Sequence, residues 1–217
     1  MRYTHCFWDL DGTITDSSPG ITSSVRYALK RLNVDPLPAE KLLCFIGPPL
    51  LVGFSQFAGL NEEDSKKAVA YYRENYRAGA MLDCRIYDGI EELLARLQDA
   101  GIQNVLATCK PQIFAEAILK HFGLDSYFSL IAGAELDGSR DEKHQVIAYA
   151  AERLGLTDLS SCLMIGDRGS DVLGASHHGM DCAGVLWGFG SAEELSQAGA
   201  KIICENVAEL SGHLLNA

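Results

Sequence analysis

The chain has 217 residues, of which 47% are hydrophobic and 22% charged, and its formal net charge is −11. This length and composition are those of a globular protein with a full core, which excludes a disordered, fibrous or disulfide-dependent fold. The negative charge argues against a nucleic acid polymer or an anionic membrane surface as the main partner.

The first predicted element is a strand at 3–8, which stops at the turn Asp9-Leu10-Asp11-Gly12-Thr13. The next residues, to about position 82, show helical spacing and no strand pattern. A first helix runs from a cap at Ser17 or Ser18 to about Leu32, with Pro19 in its first turn. Further helical runs lie near 51–57 and 64–77. This segment is therefore predicted to be all-helical.

From Asp88 onward, predicted strands alternate with predicted helices. The strands are expected at 103–108, 128–132, 161–165, 182–186 and 202–203. The helices are expected at 89–100, 111–122, 142–154 and 168–178, with two short ones near 193 and 207. This alternation predicts a parallel sheet covered on both faces, that is, a doubly wound, Rossmann-like α/β fold. The predicted core comprises 1–14 and 83–217, and 15–82 is a helical insertion after the first strand.

Polar residues follow several of the predicted strands. Asp9 and Asp11 end the first strand, where residues two apart point the same way. Gly12 permits a close backbone approach, and Thr13 offers a hydroxyl and an N–H group to an anion. The carboxyl ends of parallel strands line the ligand site of such sheets.

Later strands add further candidates at the same edge. Thr108, Cys109 and Lys110 end the second core strand, Lys143 opens a helix, and Gly166–Asp171 brings two more acids, Asp167 and Asp171. Four converging carboxylates repel one another unless a cation lies among them, and their hard oxygens suit Mg²⁺. Mg²⁺, lysines, a hydroxyl and loop N–H groups together suit a phosphoryl group.

At these residues the sequence resembles the haloacid dehalogenase-like hydrolase superfamily. The resemblance spans nearly the whole chain and is greatest to phosphoglycolate phosphatase-like members with a small helical cap. It depends on D-x-D-G-T at Asp9–Thr13, Thr108, Lys143 and G-D-R-x-x-D at Gly166–Asp171, in the family's order.

The resemblance implies a Mg²⁺-dependent phosphomonoester hydrolase that forms an aspartyl-phosphate. Asp9 would be the nucleophile and Asp11 the general acid/base, with Mg²⁺ held by Asp9, Asp167 and the carbonyl of Asp11. Thr108 and Lys143 would bind phosphate, and Asp171 would orient the metal site or Lys143. The 15–82 segment would be the cap that closes over the substrate.

The choice of phosphate-binding lysine stays open, and three further features near the site are expected to have plain structural roles. Lys143 lacks the proline that usually follows it in the family, so Lys110 is a competing phosphate-binding lysine. Cys109 lies beside the pocket and is expected to carry an inert buried thiol. His177-His178 is expected to serve helix capping rather than metal binding, and Gly188-Phe189-Gly190 to form a strand-end loop.

The substrate is expected to be a small phosphorylated metabolite. A 5′-nucleotidase and a phosphosugar mutase share the core motifs, and a phospho-accepting signalling domain or a catalytically silent binding protein are alternatives of another class. The seven cysteines are scattered and odd in number, which is typical of free thiols in a reducing compartment. A cytoplasmic protein is therefore expected. Its oligomeric state is expected to be a monomer or a homodimer.

Overall fold

The computed structural model describes residues 3–215. Its strands are β1 (His5–Trp8), β2 (Thr15–Asp16), β3 (Arg85–Ile86), β4 (Gln103–Pro111), β5 (Phe128–Ala134), β6 (Cys162–Gly166), β7 (Asp181–Val185) and β8 (Ile202–Cys204). Its helices are α1 (Ser18–Arg31), α2 (Ala39–Leu43), α3 (Leu50–Gln56), α4 (Glu62–Arg77), α5 (Ile90–Asp99), α6 (Gln112–His121), α7 (Lys143–Leu154), α8 (Gly169–His177), α9 (Ala192–Ala198) and α10 (Val207–Leu215).

Six strands form one parallel sheet in the order β5-β4-β1-β6-β7-β8. In β1, His5 pairs with Gln103 of β4 on one side and with Cys162 of β6 on the other. Phe7 and Trp8 point to opposite faces of the sheet and both are fully buried, so both faces are covered. The structure confirms the doubly wound, Rossmann-like α/β fold predicted from the alternation of strands and helices.

Local signals set the helix boundaries beside the candidate site. Helix α7 begins with a capping box in which the side chains of Glu142 and Gln145 accept each other's backbone N–H groups, and it ends at Gly155 with φ +68°. Helix α8 begins after Arg168, whose N–H donates to the Asp171 carboxylate at 3.0 Å. These ends agree with the predicted helices to within a residue.

Four elements differ from the sequence predictions, and one of them, β2, lies in the segment that was predicted to be all-helical. Strand β4 continues beyond Thr108 to Pro111, because its last residues still pair with β5 after a shift in register. Helix α2 was not predicted, since it has only five residues and lies between proline-broken loops. The two-residue strands β2 and β3 are too short to show an alternating pattern.

The chain divides into two compact units. One contains the residues up to Thr15 together with those from Ile86 onward, and it holds the six-stranded sheet. The other is Asp16–Arg85, whereas the predicted insertion was 15–82. The boundary falls where β2 pairs with β3. The role of the second unit as a cap stays a prediction.

The Asp16–Arg85 unit contains helices α1 to α4 and has its own core, in which α1 packs on α4. Phe45 and Phe54 meet edge to face at 5.1 Å between ring centroids, and Leu42 and Ile46 are buried. In residues 3–215, no helix combines the length and apolar character that crossing a membrane requires.

Candidate active site

The sheet order brings the predicted site residues together at one edge. Strands β4, β1 and β6 are neighbours, so the residues after their carboxyl ends lie side by side. Asp9 directly follows β1, and its N–H donates to the carbonyl of Ile165 in β6 at 2.9 Å. Thr108 and Lys110 lie in the last part of β4, and Asp167 follows β6.

Three carboxylates form an acidic cluster. Asp9, Asp167 and Asp171 each place an oxygen within 4.8 Å of the others. Burial, together with the charges of Asp171 and Asp9, raises the pKa of Asp167 to about 8. Burial likewise raises the pKa of Asp171 to about 6, although Lys143 acts against that rise. The cluster therefore favours any cation that neutralises it.

Lys143 lies within this cluster. Its Nζ is 2.7 Å from Oδ1 of Asp9 and 2.8 Å from Oδ1 of Asp171, and it donates to the carbonyl of Ala107 at 2.9 Å. Burial lowers the pKa of Lys143, but the two carboxylates outweigh that effect and raise it well above its ordinary value. Lys143 is therefore a buried ammonium that is protonated at neutral pH.

Packing of α7 against α8 fixes the path of this lysine. A Cβ at Gly174 of α8 would lie 2.6 Å from Cγ of Lys143. Only a glycine leaves room for the lysine stem to pass between the two helices.

Asp11 has a different partner. Its Oδ2 lies 2.7 Å from Nζ of Lys110, and the two side chains are 13% and 5% exposed. Its Oδ1 is buried and accepts no hydrogen bond from residues 3–215. Asp11 and Asp9 are thus each held by a separate lysine, and the acidic cluster contains the carboxylate of Asp171 rather than that of Asp11. A ligand role for the Asp11 carbonyl stays a prediction.

A loop that the sequence analysis assigned no role covers Asp167. The N–H of Phe189 donates to Oδ2 of Asp167 at 2.7 Å, and the hydroxyl of Thr13 donates to Oδ1 at 3.3 Å. The Trp187 indole donates to the carbonyl of Thr13 at 3.0 Å. Two glycines one residue apart, after the strand next to β6, were the signal for this loop.

Glycines make that close approach possible. A Cβ on Gly12, whose φ is +85°, would lie 2.3 Å from Oδ2 of Asp167. A Cβ on Gly188 would lie 2.3 Å from the carbonyl oxygen of Gly12, and one on Gly190 would lie 1.7 Å from that of Asp167. The two loops therefore pack backbone to backbone around a single carboxylate.

The other residues singled out in the sequence, Thr108, Cys109 and the two histidines, lie outside the acidic cluster. Thr108 is buried, and its Oγ1 accepts the N–H of Lys110 at 3.2 Å. Burial raises the pKa of Cys109 to about 12, so its thiol is inert at neutral pH. His177 and His178 lie outside the acidic cluster, and Nε2 of His178 is 2.8 Å from the carbonyl oxygen of His144.

The residues fit a magnesium ion. The cluster offers only carboxylate oxygens, which are the donors that Mg²⁺ prefers over nitrogen or sulfur. Burial raises the pKa of Asp167 and of Asp171, so a bound cation would favour their ionised, ligating form. Asp9, Asp167 and Asp171 are the residues that could hold the ion.

The sequence matches known proteins over nearly its whole length. A family model described as "Haloacid dehalogenase-like hydrolase" matches residues 6–185. A 5′-nucleotidase from Pseudomonas aeruginosa is 44% identical over 97% of this chain and 95% of that protein. The tyrosine-protein kinase PtkA from Mycobacterium tuberculosis is 39% identical over 90% of this chain and 66% of that protein. A phosphoglycolate phosphatase from Neisseria gonorrhoeae is 32% identical over 88% and 83%.

The fold matches solved structures equally well. The crystal structure of a predicted phosphatase from Clostridium acetobutylicum superimposes with a TM-score of 0.94 and 42% sequence identity, covering 100% of both chains.

Proposed function

The chain belongs to the haloacid dehalogenase-like hydrolase family and is an enzyme of its phosphatase type, and from this premise we propose Mg²⁺-dependent hydrolysis of phosphate monoesters through an aspartyl-phosphate. One observation carries the proposal: Lys143 lies between Asp9 and Asp171, with Asp167 beside them. At this strand-end site the carboxylate of Asp9 offers a phosphate a nucleophile, and the buried ammonium of Lys143 offers it charge stabilisation.

In the first step a carboxylate oxygen of Asp9 attacks phosphorus, and the bond from phosphorus to the leaving oxygen breaks. Lys143, 2.7 Å from Asp9, offsets the repulsion between the carboxylate and the phosphate dianion. Asp11 gives a proton to the leaving alkoxide. The products are the alcohol and a phosphoryl group on Asp9.

In the second step water attacks the same phosphorus atom, and Asp11 takes the proton from that water. The bond between phosphorus and Asp9 then breaks, which releases inorganic phosphate and restores the carboxylate. Thr108 is buried two residues before Lys110, and in this proposal its hydroxyl donates to a phosphate oxygen. When bound by Asp9 and Asp167, Mg²⁺ supplies Lewis-acid stabilisation of the transferring phosphoryl group.

Nucleoside 5′-monophosphates are the substrate class that we propose first. The resemblance in the sequence favoured phosphoglycolate, but the relative named a 5′-nucleotidase is more similar to this chain than the relative named a phosphoglycolate phosphatase. Nucleoside 5′-monophosphates and phosphoglycolate are both alkyl phosphates, so the same acid–base chemistry applies to each of them.

The test is release of inorganic phosphate in a Mg²⁺-supplemented screen of nucleoside 5′-monophosphates, phosphoglycolate, sugar phosphates and p-nitrophenyl phosphate. Asp9→Asn is expected to keep the fold and to lose turnover by several orders of magnitude, because an amide is a poor nucleophile. Asp99→Asn, an exposed aspartate at the end of α5, is the matched control.

Rapid acid quenching with a ³²P-labelled substrate is expected to trap a phosphoryl group on the wild type that hydroxylamine removes. Near-wild-type turnover by Asp9→Asn, or labelling of that variant, would overturn the covalent mechanism. Absence of phosphate release from every compound in the screen would overturn the assignment as a phosphomonoesterase.

A further inference from the structure

The starting observation is the ion pair between Asp11 and Lys110. Nζ of Lys110 is 2.7 Å from Oδ2 of Asp11, and both side chains are almost withdrawn from solvent. The backbone at Lys110 is also restrained, because its N–H donates to the hydroxyl of Thr108 at 3.2 Å. The pair is distinct from the one that Lys143 makes with Asp9.

We propose that Lys110 is a positioning residue for the acid–base group Asp11, and not chiefly a ligand of the substrate phosphate. The inference rests on the proposed function, because it assigns Lys110 a part in the same reaction. Sequence reasoning left Lys110 as a competitor of Lys143 for phosphate. The structure instead ties Lys110 to the carboxylate that handles the proton.

The geometry at Asp11 leaves one oxygen for chemistry. Lys110 holds Oδ2, whereas Oδ1 is buried and accepts no hydrogen bond from the described part of the chain. An aspartate turns about two side-chain bonds, so fixing one oxygen fixes the direction of the other. Proton transfer needs a heavy-atom distance of about 2.6–3.2 Å, and a misplacement of about 1 Å can cost a hundredfold in rate. Lys110 therefore acts on the reaction through Oδ1 of Asp11.

The two possible roles of Lys110 predict different dependence on the leaving group. A ligand of the phosphate stabilises every phosphate monoester to the same extent, because all carry the same transferring group. A residue that positions the general acid matters only where the leaving oxygen needs a proton. An alkoxide needs that proton, and p-nitrophenolate hardly does.

The experiment measures kcat/KM for Lys110→Met on the best alkyl phosphate from the screen and on p-nitrophenyl phosphate. This ratio of constants reports the steps up to formation of the phosphoenzyme, where the leaving group departs. General acid–base catalysis contributes about 10²–10⁴-fold, and we expect Lys110→Met to lose at least about tenfold more on the alkyl than on the aryl phosphate. Lys120→Ala, at an exposed lysine of α6, is the control.

A double variant tests whether Lys110 acts through Asp11. Asp11→Asn combined with Lys110→Met is expected to be within about threefold of Asp11→Asn alone on the alkyl phosphate, because residues in one chain of contacts do not contribute independently. Multiplied losses would show that the two residues act separately and would overturn the proposal.

Equal losses of Lys110→Met on the two substrates, or a change confined to KM, would assign Lys110 to phosphate binding and would also overturn it. If circular dichroism shows that Lys110→Met does not fold, Lys110→Gln provides the same comparison. The extra loss of kcat/KM on the alkyl phosphate is then expected to be smaller, because the amide still donates a hydrogen bond. An inactive wild type would instead refute the proposed function and is recognised before any variant is made.

Discussion

Replacing Lys143 with alanine removes the ammonium that lies 2.7 Å from Oδ1 of Asp9 and 2.8 Å from Oδ1 of Asp171. The variant leaves the carboxyl groups of Asp9 and Asp171 without the ion pairs that Lys143 makes with them. Breaking a buried ion pair by removing one partner costs about 3–5 kcal/mol of folding free energy. At about 2–4 °C per kcal/mol for a chain of this size, the melting temperature in EDTA should fall by about 6–20 °C.

Proton uptake gives this loss a pH dependence. Lys143 is the main group that opposes the rise in the pKa of Asp171, so its removal raises that pKa above the wild-type value of about 6. A carboxyl group whose pKa is raised in the folded state loses stability as the pH rises through that pKa. The stability difference between wild type and Lys143→Ala is therefore expected to be smaller at pH 6 than at pH 8.

Activity is expected to fall with stability, but for a separate reason. In the proposed mechanism this ammonium stabilises the transferring phosphoryl group, so we expect kcat/KM to drop at least about a hundredfold, or about 2.7 kcal/mol, on both alkyl and aryl phosphates. The assays are thermal denaturation with EDTA and with Mg²⁺, and steady-state kinetics at a temperature where the variant is folded. An unchanged melting temperature in EDTA together with a loss below tenfold would refute this role for Lys143.

Two other predictions concern Asp167. In the presence of EDTA the wild type should be less stable at pH 8.5 than at pH 6, because the pKa of Asp167 is about 8 in the folded chain against an ordinary value of 3.8. Asp167→Asn should flatten this pH dependence of stability, and added Mg²⁺ should restore most of the lost stability. A wild-type stability that does not change with pH in EDTA would contradict the assignment. Gly188→Ala, whose Cβ would collide with Gly12 and Asp167, should raise the Mg²⁺ concentration for half-maximal activity by about 10–100-fold, and an unchanged value would separate the loop from the metal site.

Reasoning from the sequence located most of the acidic groups because their positions follow from short-range patterns. Asp9 and Asp167 stand directly after apolar runs that the structure confirms as β1 and β6. Because β1 and β6 pair with each other in parallel, they end at the same edge of the sheet, and the acids that follow them lie side by side. The helix predicted at 142–154 likewise agrees with α7, which begins at Lys143.

What sequence reasoning missed depends on contacts between distant parts of the chain. Lys110 pairs with Asp11, and Lys110 lies in the three residues by which β4 continues beyond Thr108. That continuation depends on pairing with β5 after a register shift. The covering of Asp167 by Phe189 depends on backbone contact between two loops more than 20 residues apart, which shows in the sequence only as glycines. Neither pattern carries a periodic signal.

The two tryptophans of the chain lie in different surroundings, so their intrinsic fluorescence can report on the candidate site. Trp8 is fully buried, with its indole N–H donated to Asn104 at 3.0 Å, and it directly precedes Asp9. Trp187 is half-buried and bonded to the carbonyl of Thr13, within the turn that contacts Asp167. In a Trp8→Phe variant, changes in emission on adding Mg²⁺ or phosphate would come from Trp187, and stopped-flow fluorescence could time ligand arrival without a label.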